Sequence, residues 1–384
     1  MKISCVGGGP AGLYFSILMK GADPSHDITV YERNPAGSTY GWGVTYWAEL
    51  LDALYDSDPE SACAIRDASV RWETWRMHLQ DRAVVTVEGW DDGFGIGRHE
   101  LLRILTERAY SLGVRIEFEH EITDETELAG SDLVVAGDGV NSVLRERHAG
   151  HFRPHFAAGR NVYTWLGTTK VFESFLFAFV PTEHGWIWCY GYPFSTTHST
   201  CVVECPPETW RGLGLHEMND ADCLGLLEKL FADVLDGHPL MSGGQGGARW
   251  VHFRTLTNRA WYRDNMVLAG DAAHTTHYSI GAGTALALAD AACLAGALMG
   301  DPRVPVALRR YARTRRSAVR ASQKAARYSA RWYENLPRYI DLPPRQLVTL
   351  LGQRHSSLLA HLPPRLYCRV GRLIGTLTSL GRRG

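Results

Sequence analysis

Gly7-Gly8-Gly9-Pro10-Ala11-Gly12 follows a β-type stretch (Ile3, Cys5, Val6) and precedes residues at helical spacing (Leu13, Ile17, Leu18). In this GxGxxG arrangement, Gly7, Gly9 and Gly12 let a strand turn sharply into a helix. They also let a pyrophosphate approach the N–H groups at the helix start, which Pro10 and Ala11 open. Glu32 ends a second β-type stretch, Ile28 to Tyr31, at about the twenty-residue distance where an acidic side chain accepts hydrogen bonds from a ribose. Arg33 follows it. The pattern predicts a dinucleotide site, and Glu32 favours an adenosine without a 2′-phosphate.

Two later segments repeat the strand-then-acid order. Gly137-Asp138-Gly139 follows the apolar stretch Leu133 to Ala136, with Arg145 downstream. Gly270-Asp271 follows Met266 to Ala269, and Gly281-Ala282-Gly283 then brackets a helix start. An aspartate at such a place either binds a ligand or caps a helix, and the two jobs are compatible. Arg98, in GIGRHELL, opens another helical stretch.

In this order and spacing the three segments resemble the fingerprints of the FAD-dependent aromatic hydroxylases, the group A flavoprotein monooxygenases. The resemblance spans most of the first 300 residues. It implies bound FAD, with Asp271 on a ribityl or ribose hydroxyl, Asp138 serving flavin and nicotinamide nucleotide, and Arg98 beside the FAD. It places the helix start at Gly281, Ala282 and Gly283 near flavin N1 and C2=O, where a helix N-terminus stabilises negative charge. It also implies NADH or NADPH as co-substrate, O2, and a flavin C4a-hydroperoxide that hydroxylates an aromatic ring.

A narrower similarity lies in GGGPAGLYF, DITVYERN, YGWGV (Tyr40 to Val44), YTWLGTTKVFESF and GDAAHTTHYSIGAGT. These are similar to the salicylyl-CoA 5-hydroxylases and the hydroxylase half of the 2-aminobenzoyl-CoA monooxygenase/reductases. His277-Tyr278-Ser279 replaces the usual hydroxylase proline in the manner of that subfamily, which implies an aryl-CoA thioester. Thr45-Tyr46-Trp47-Ala48 is bulkier than the subfamily pattern and leaves the ring open. The alternative is a free or carrier-bound indolic or aromatic intermediate of secondary metabolism. A flavin-dependent dehydrogenase or reductase is a lesser alternative, since no CxxC pair occurs among the eight cysteines.

The catalytic candidates are His277, Tyr278 and Tyr46. His277 titrates near neutrality and neighbours the flavin loop, so it is a candidate for moving a proton or polarising a phenol or amine. A structural histidine is the equal alternative. Trp186, Trp188 and Tyr190 alternate along one strand and share a face, as a pocket wall or as core.

These residues need an α/β architecture: a glutathione-reductase-like Rossmann FAD domain with an inserted antiparallel β-sheet substrate domain and a C-terminal helical segment. The expected division is 1–70, 95–160 and 250–302 for FAD, 71–94 and 161–249 for substrate, and 303–384 for a basic helical end. Helices are expected over 60–82, 98–112, 207–235, 283–298 and 303–335, and antiparallel strands from Val162 to about Glu204.

The chain has 384 residues with 40 Lys and Arg against 41 Asp and Glu, but the charge is unevenly spread. From Arg303 onward there are 18 Lys and Arg against only Glu334 and Asp341, a solvated cationic face or a seat for phosphates. No run approaches the roughly 18 apolar residues of a membrane span. The expectation is a cytoplasmic protein with reduced cysteines, no bound metal, and no nucleic-acid or membrane partner; a homodimer is left open.

Overall fold

A computed structural model describes residues 1–39, 41–243 and 249–367. Its mixed α/β architecture is built on two sheets. The first, sheet A, runs in the order β14 (Tyr262–Arg263), β15 (Met266–Leu268), β7 (Leu133–Ala136), β1 (Lys2–Val6), β2 (Asp27–Tyr31), β6 (Arg115–Glu117). All neighbours are parallel except β14 on β15. β1 and β7 bury nearly every side chain, as central strands covered on both faces must. The N-terminal segment is therefore a core strand of the Rossmann-type fold.

Sheet A is covered by α1 (Pro10–Ala22), which packs against α10 (Gly283–Gly300), and by α4 (Arg98–Ser111). α10 is a correction to the sequence reading, because its 18 residues have a mean hydropathy of 1.5, long and apolar enough to cross a membrane. It packs instead between α1 and α11 (Val304–Glu334), with eight of its 18 residues buried. Its wholly buried Asp290 is paired with Arg315 of α11, an arrangement suited to a core helix.

Sheet B holds β12 (Leu240–Ser242), β8 (Pro154–Thr168), β11 (Ser199–Cys205), β10 (Gly185–Pro193), β9 (Phe175–Thr182), β4 (Val70–Leu79), β5 (Ala83–Gly97) and β3 (Gly43–Trp47), with β13 (Val251–Asn258) also on β8. Its pairs are antiparallel except β4 on β9. One face carries Met77, Phe177, Trp188, Tyr190 and Val202 and is covered by the end of α11 and by α12 (Pro344–Gly352). The other carries Leu166, Ile187 and Val203 and is covered by α8 (Asp220–Leu230) and α9 (Ala232–Leu235), with α7 (Pro207–Gly212) beside β8 and β10.

Two readings change. The helix expected over 60–82 stops at Asp67: α2 (Ala48–Ser57) and α3 (Pro59–Asp67) come first, then the strand β4. A register shift between Trp72 and Thr74 puts buried Trp72 three residues before buried Trp75, so the alternation reads locally like a helix. Strands β3, β13 and the start of β8 were expected in the FAD-binding unit, yet all pair into sheet B. Short α5 (Val143–Arg147) and α6 (Ala149–Phe152) link β7 to β8, and α13 (Ser357–His361) follows α12. Tyr40, Cys368 and the rest of the tail to residue 384 lie outside the described residues.

Candidate FAD and active site

A cavity of about 660 Å³ opens at the C-terminal ends of β1, β2 and β7, lined by Gly7, Gly9, Glu32, Arg33, Arg98 and Asp138 among others. Gly7 has φ +106°, and a Cβ there would meet Gly137 O at 2.4 Å. A Cβ on Gly12 would meet Gly7 O at 2.2 Å, so α1 is pressed against the turn. Nothing lies within 4 Å of a Cβ built on Gly9, which leaves its backbone open to a ligand. Gly9 caps α1 without a side-chain hydrogen bond and Pro10 follows, so the helix end presents bare N–H groups to the cavity.

Glu32 accepts from Gly8 N at 2.8 Å and from Asn34 N and Nδ2 at 2.9 and 2.6 Å, which fixes its carboxylate at the cavity wall. Asp138 Oδ2 accepts from Val143 N at 2.8 Å, an N–H at the start of α5 beside its cap Ser142, while Oδ1 is buried with no partner. Burial raises the Asp138 carboxyl above its ordinary range. Arg98 begins α4, and its backbone N–H donates to Trp42 O at 2.8 Å. Its Nε is likewise buried and unpartnered, and burial pulls the guanidinium down against the attraction of Asp271 and Glu32. An unmet buried polar atom costs about 1–3 kcal/mol. Two such atoms on one cavity fit a polar ligand that supplies their partners.

Asp271 keeps an exposed surface, yet burial raises its carboxyl while His274 and Arg98 draw it down. It is not among the residues that line the cavity of about 660 Å³. Behind it, Asp290 joins three elements: Oδ2 accepts from Gly270 N at 2.9 Å and pairs with His274 Nε2 at 2.8 Å, and Oδ1 accepts from Arg315 Nε at 2.7 Å. Arg145 is buried and donates to Val140 O at 2.7 Å and Ala272 O at 3.2 Å, tying the two acidic turns together. His274, Asp290, Arg145 and Arg315 therefore position backbone.

The segment from His277 to Gly283 carries the second half of the site. Gly281 has φ +62°, and a Cβ there would come 2.5 Å from Thr45 Oγ1, so the turn passes directly against β3. Gly283, exposed and with open space around it, starts α10 after Ala282 with no side-chain cap. His277 is buried. Its Nδ1 accepts from Ser279 N at 3.3 Å and contacts Ser279 Oγ at 2.9 Å, which leaves the proton of the neutral ring on Nε2. Burial and Arg354 pull the imidazole down to about 3. The ring is neutral at physiological pH and suits hydrogen-bond donation through Nε2, not general-base work.

Tyr278 stacks on His277 at 4.3 Å, lies 4.2 Å from the Tyr163 ring, and donates its hydroxyl to Glu204 Oε2 at 2.7 Å. Glu204 is buried and also receives the Tyr190 hydroxyl and Asn161 Nδ2. Burial raises its carboxyl, against the lowering pull of those hydrogen bonds. Tyr46, expected among the catalytic residues, does not join this group. It stacks on Phe94 at 5.3 Å and its hydroxyl meets Ser69, because strand alternation turns it away while Thr45 faces Gly281. Trp188 and Tyr190 belong to the core under α11, with Trp188 stacked on Tyr333 at 5.7 Å.

Sequence reasoning missed Glu204 and Arg354. Arg354 follows α12 and reaches Ser279 O at 2.7 Å and Ser329 Oγ at 3.1 Å, and its guanidinium lies over the Trp75, Phe177 and Tyr333 rings. Ser329 of α11 contacts Ser279 Oγ at 2.8 Å, so the C-terminal helices hold the flavin-side turn. The one available signal was a lone acid closing the apolar strand STCVVE.

The FAD binding domain family model matches residues 1–326. The chain belongs to this family. It is an FAD-dependent aromatic monooxygenase. The chain is 37% identical over 354 residues to salicyloyl-CoA 5-hydroxylase of Streptomyces sp, a match covering 88% of this chain and 66% of that protein, just under two thirds of its length. It is 35% identical to the 3-hydroxy-4-methyl-anthranilyl-[aryl-carrier protein] 5-monooxygenase of Streptosporangium sibiricum, covering 93% and 95% of the two chains. A crystal structure of 2-methyl-3-hydroxypyridine-5-carboxylic acid oxygenase superposes with a TM-score of 0.72 at 19% identity over 88% of this chain and 92% of that one, a likeness of fold. The cavity, the bare start of α1 and the orphaned Arg98 and Asp138 atoms have the polar chemistry that an FAD would satisfy.

Proposed function

We propose that this monooxygenase hydroxylates the ring of an aromatic acyl group carried as a thioester, salicylyl-CoA-like in chemistry, with NADH or NADPH as electron donor. The observation that carries it is the turn from His277 to Gly283. One segment presents a neutral histidine, a fixed tyrosine and the open start of α10. The thioester is supported by the two relatives, whose names specify a CoA ester and an aryl-carrier protein.

FAD held in the site would carry the nicotinamide's electrons to O2 and so supply the electrophilic oxygen. The balance is arene, NAD(P)H, H⁺ and O2 giving phenol, NAD(P)⁺ and water. Gly9, the α1 start, Glu32 and Arg33 hold the adenosine diphosphate half; Arg98, Asp138 and Asp271 hold the remainder; and the α10 start at Gly281, Ala282 and Gly283 faces developing negative charge. His277 donates from Nε2 to a ring hydroxyl or amine. Tyr278, held by Glu204, forms a wall that keeps the ring in place and water out. Sheet A and its helices serve FAD, sheet B serves the substrate, and the protein works in the cytoplasm.

The test is to give the purified flavoprotein salicylyl-CoA, 2-aminobenzoyl-CoA and the matching free acids, and to follow NAD(P)H oxidation, O2 uptake and product together. The expected result is thioester-stimulated oxidation with matched O2 uptake and ring hydroxylation. Stimulation by free acids alone would overturn the thioester.

A further inference from the structure

Helix α11 carries Arg313, Arg316, Arg320, Lys324, Arg327 and Arg331 at steps of three or four residues, so they form one continuous row along the helix. At 1.5 Å per residue the row is about 27 Å long. All six are exposed except the half-buried Arg316. Among the described residues none of the six pairs with a carboxylate, whereas Arg303 just before the helix is paired with Asp301 at 2.7 Å and Arg315 with Asp290 at 2.7 Å. The tail beyond residue 367 contains no Asp or Glu side chain to neutralise the row. Burial, with the neighbouring charge of Arg320 added, pulls the Arg316 guanidinium below its ordinary range, as a row of unneutralised like charges should.

The row's place in the fold connects it to the site. Arg327 and Arg331 lie two residues on either side of buried Ser329, whose hydroxyl contacts Ser279 beside His277 and Tyr278. The cationic row therefore runs along the surface of the same helix that braces the flavin-side turn. A row of this length exceeds what the phosphates of one free CoA engage.

The rest of the chain decides what class of partner fits. The first 302 residues hold 22 Lys and Arg against 39 Asp and Glu, a formal charge of −17. A nucleic acid or an anionic membrane is a long polyanion and is repelled by the net negative charge of the rest of the chain as well as attracted by the row. A small acidic domain can match the row of about 27 Å in length, which keeps that repulsion least.

Resting on the thioester reading, we infer that the row from Arg313 to Arg331 is the docking surface for an acidic acyl-carrier domain, which presents its aromatic acyl group on a phosphopantetheine arm to the turn at His277–Gly283. Docking of this kind is electrostatic: charges at such a surface act mainly on encounter rate and salt dependence, hence on KM, and leave the chemical step alone.

The experiment compares FAD-loaded enzyme on two substrates bearing the same salicylyl group, a holo aryl-carrier domain and salicylyl-CoA. The variants are Arg320→Glu with Arg327→Glu, and Lys229→Glu on α8 as a remote charge reversal. Glutamates at these places gain cationic neighbours one turn away, so the helix is retained, as circular dichroism and bound flavin will report. The double reversal should raise KM for the carrier-bound substrate at least tenfold, with kcat unchanged and KM for salicylyl-CoA within twofold. It should also flatten the salt dependence seen with the unaltered enzyme, while Lys229→Glu changes neither. Equal effects on both substrates, no effect on the carrier-bound one, or turnover of salicylyl-CoA but not of the carrier form would overturn the docking surface. So would a loss of DNA or anionic-vesicle binding in the double variant with carrier kinetics intact. If only free salicylate is hydroxylated, the failure belongs to the thioester reading.

Discussion

At the residue scale the site depends on a few groups whose hydrogen bonds are fixed by the fold. Glu204 receives two tyrosine hydroxyls and one amide inside the protein, and Asn161 Oδ1 beside it is buried without a partner. Glu204→Gln keeps an oxygen for both tyrosines, and a flipped Asn161 then accepts from the new amide. Its expected cost is below about 1.5 kcal/mol, whereas Glu204→Ala strands three polar groups and costs about 3 kcal/mol or more. Denaturant unfolding of the two variants distinguishes them, and equal losses would show that the hydrogen bonds do not matter. His277 makes a prediction about pH. Its imidazole is lowered from 6.5 to about 3 by burial and Arg354, so the folded protein holds it neutral while the unfolded chain protonates it. The stability it contributes is complete above pH 6.5 and is lost as pH falls from there towards 3. His277→Asn should therefore flatten stability between pH 6 and 4, and the pH profile of kcat should keep its shape. Disappearance of an acidic limb from that profile would make His277 a base after all.

At the element scale, Asp290 fastens α10 to α11 and to the turn that presents Asp271. Burial raises its carboxyl, but His274 and Arg315 outweigh that and hold it below its ordinary 3.8. The stability it gives is present above pH 3.8 and is lost as pH falls below that value. Asp290→Asn leaves Arg315 buried without its counter-charge and should cost about 3–5 kcal/mol, measured at pH 7, with that difference shrinking as pH falls below 3.8. A cost under about 1 kcal/mol at pH 7 would mean that other contacts hold the helices together. The elements also show where sequence reading is weak. β1, α1, β7 and α10 were legible because each is a long or wholly apolar segment next to a glycine turn. β4 was not, because its register shift interrupts the alternation that marks a strand. Tyr46 was misplaced by a single step of strand alternation, which no spacing argument fixes before the pairing of β3 with β5 is known.

At the scale of the whole molecule, FAD is part of the stability of the fold. In the proposed site it would meet Arg98 and Asp138 atoms that the protein leaves unpaired, so stripping the cofactor should lower Tm, and Tm should then climb with added FAD. The linkage amounts to about 4 kcal/mol when free FAD exceeds Kd a thousandfold. In Arg98→Met the orphaned nitrogen is removed along with its ligand bond. The apo protein should then unfold no earlier than unaltered apo protein, with FAD affinity down about tenfold or more by flavin fluorescence titration. An unchanged affinity would remove Arg98 from the FAD site.

The sequence by itself determined the family, the cofactor and the glycine turns that end β1 and start α1. Those depend on local rules: glycine spacing, strand ends and helix starts, all written within a few residues. Tertiary structure alone decided which side chains gather around the turn from His277 to Gly283. Glu204 comes to Tyr278 across 74 residues, Ser329 to Ser279 across 50 and Arg354 to Ser279 across 75. Contacts between segments so far apart are set by how sheet B and the C-terminal helices pack, and that packing leaves no periodic mark in the chain.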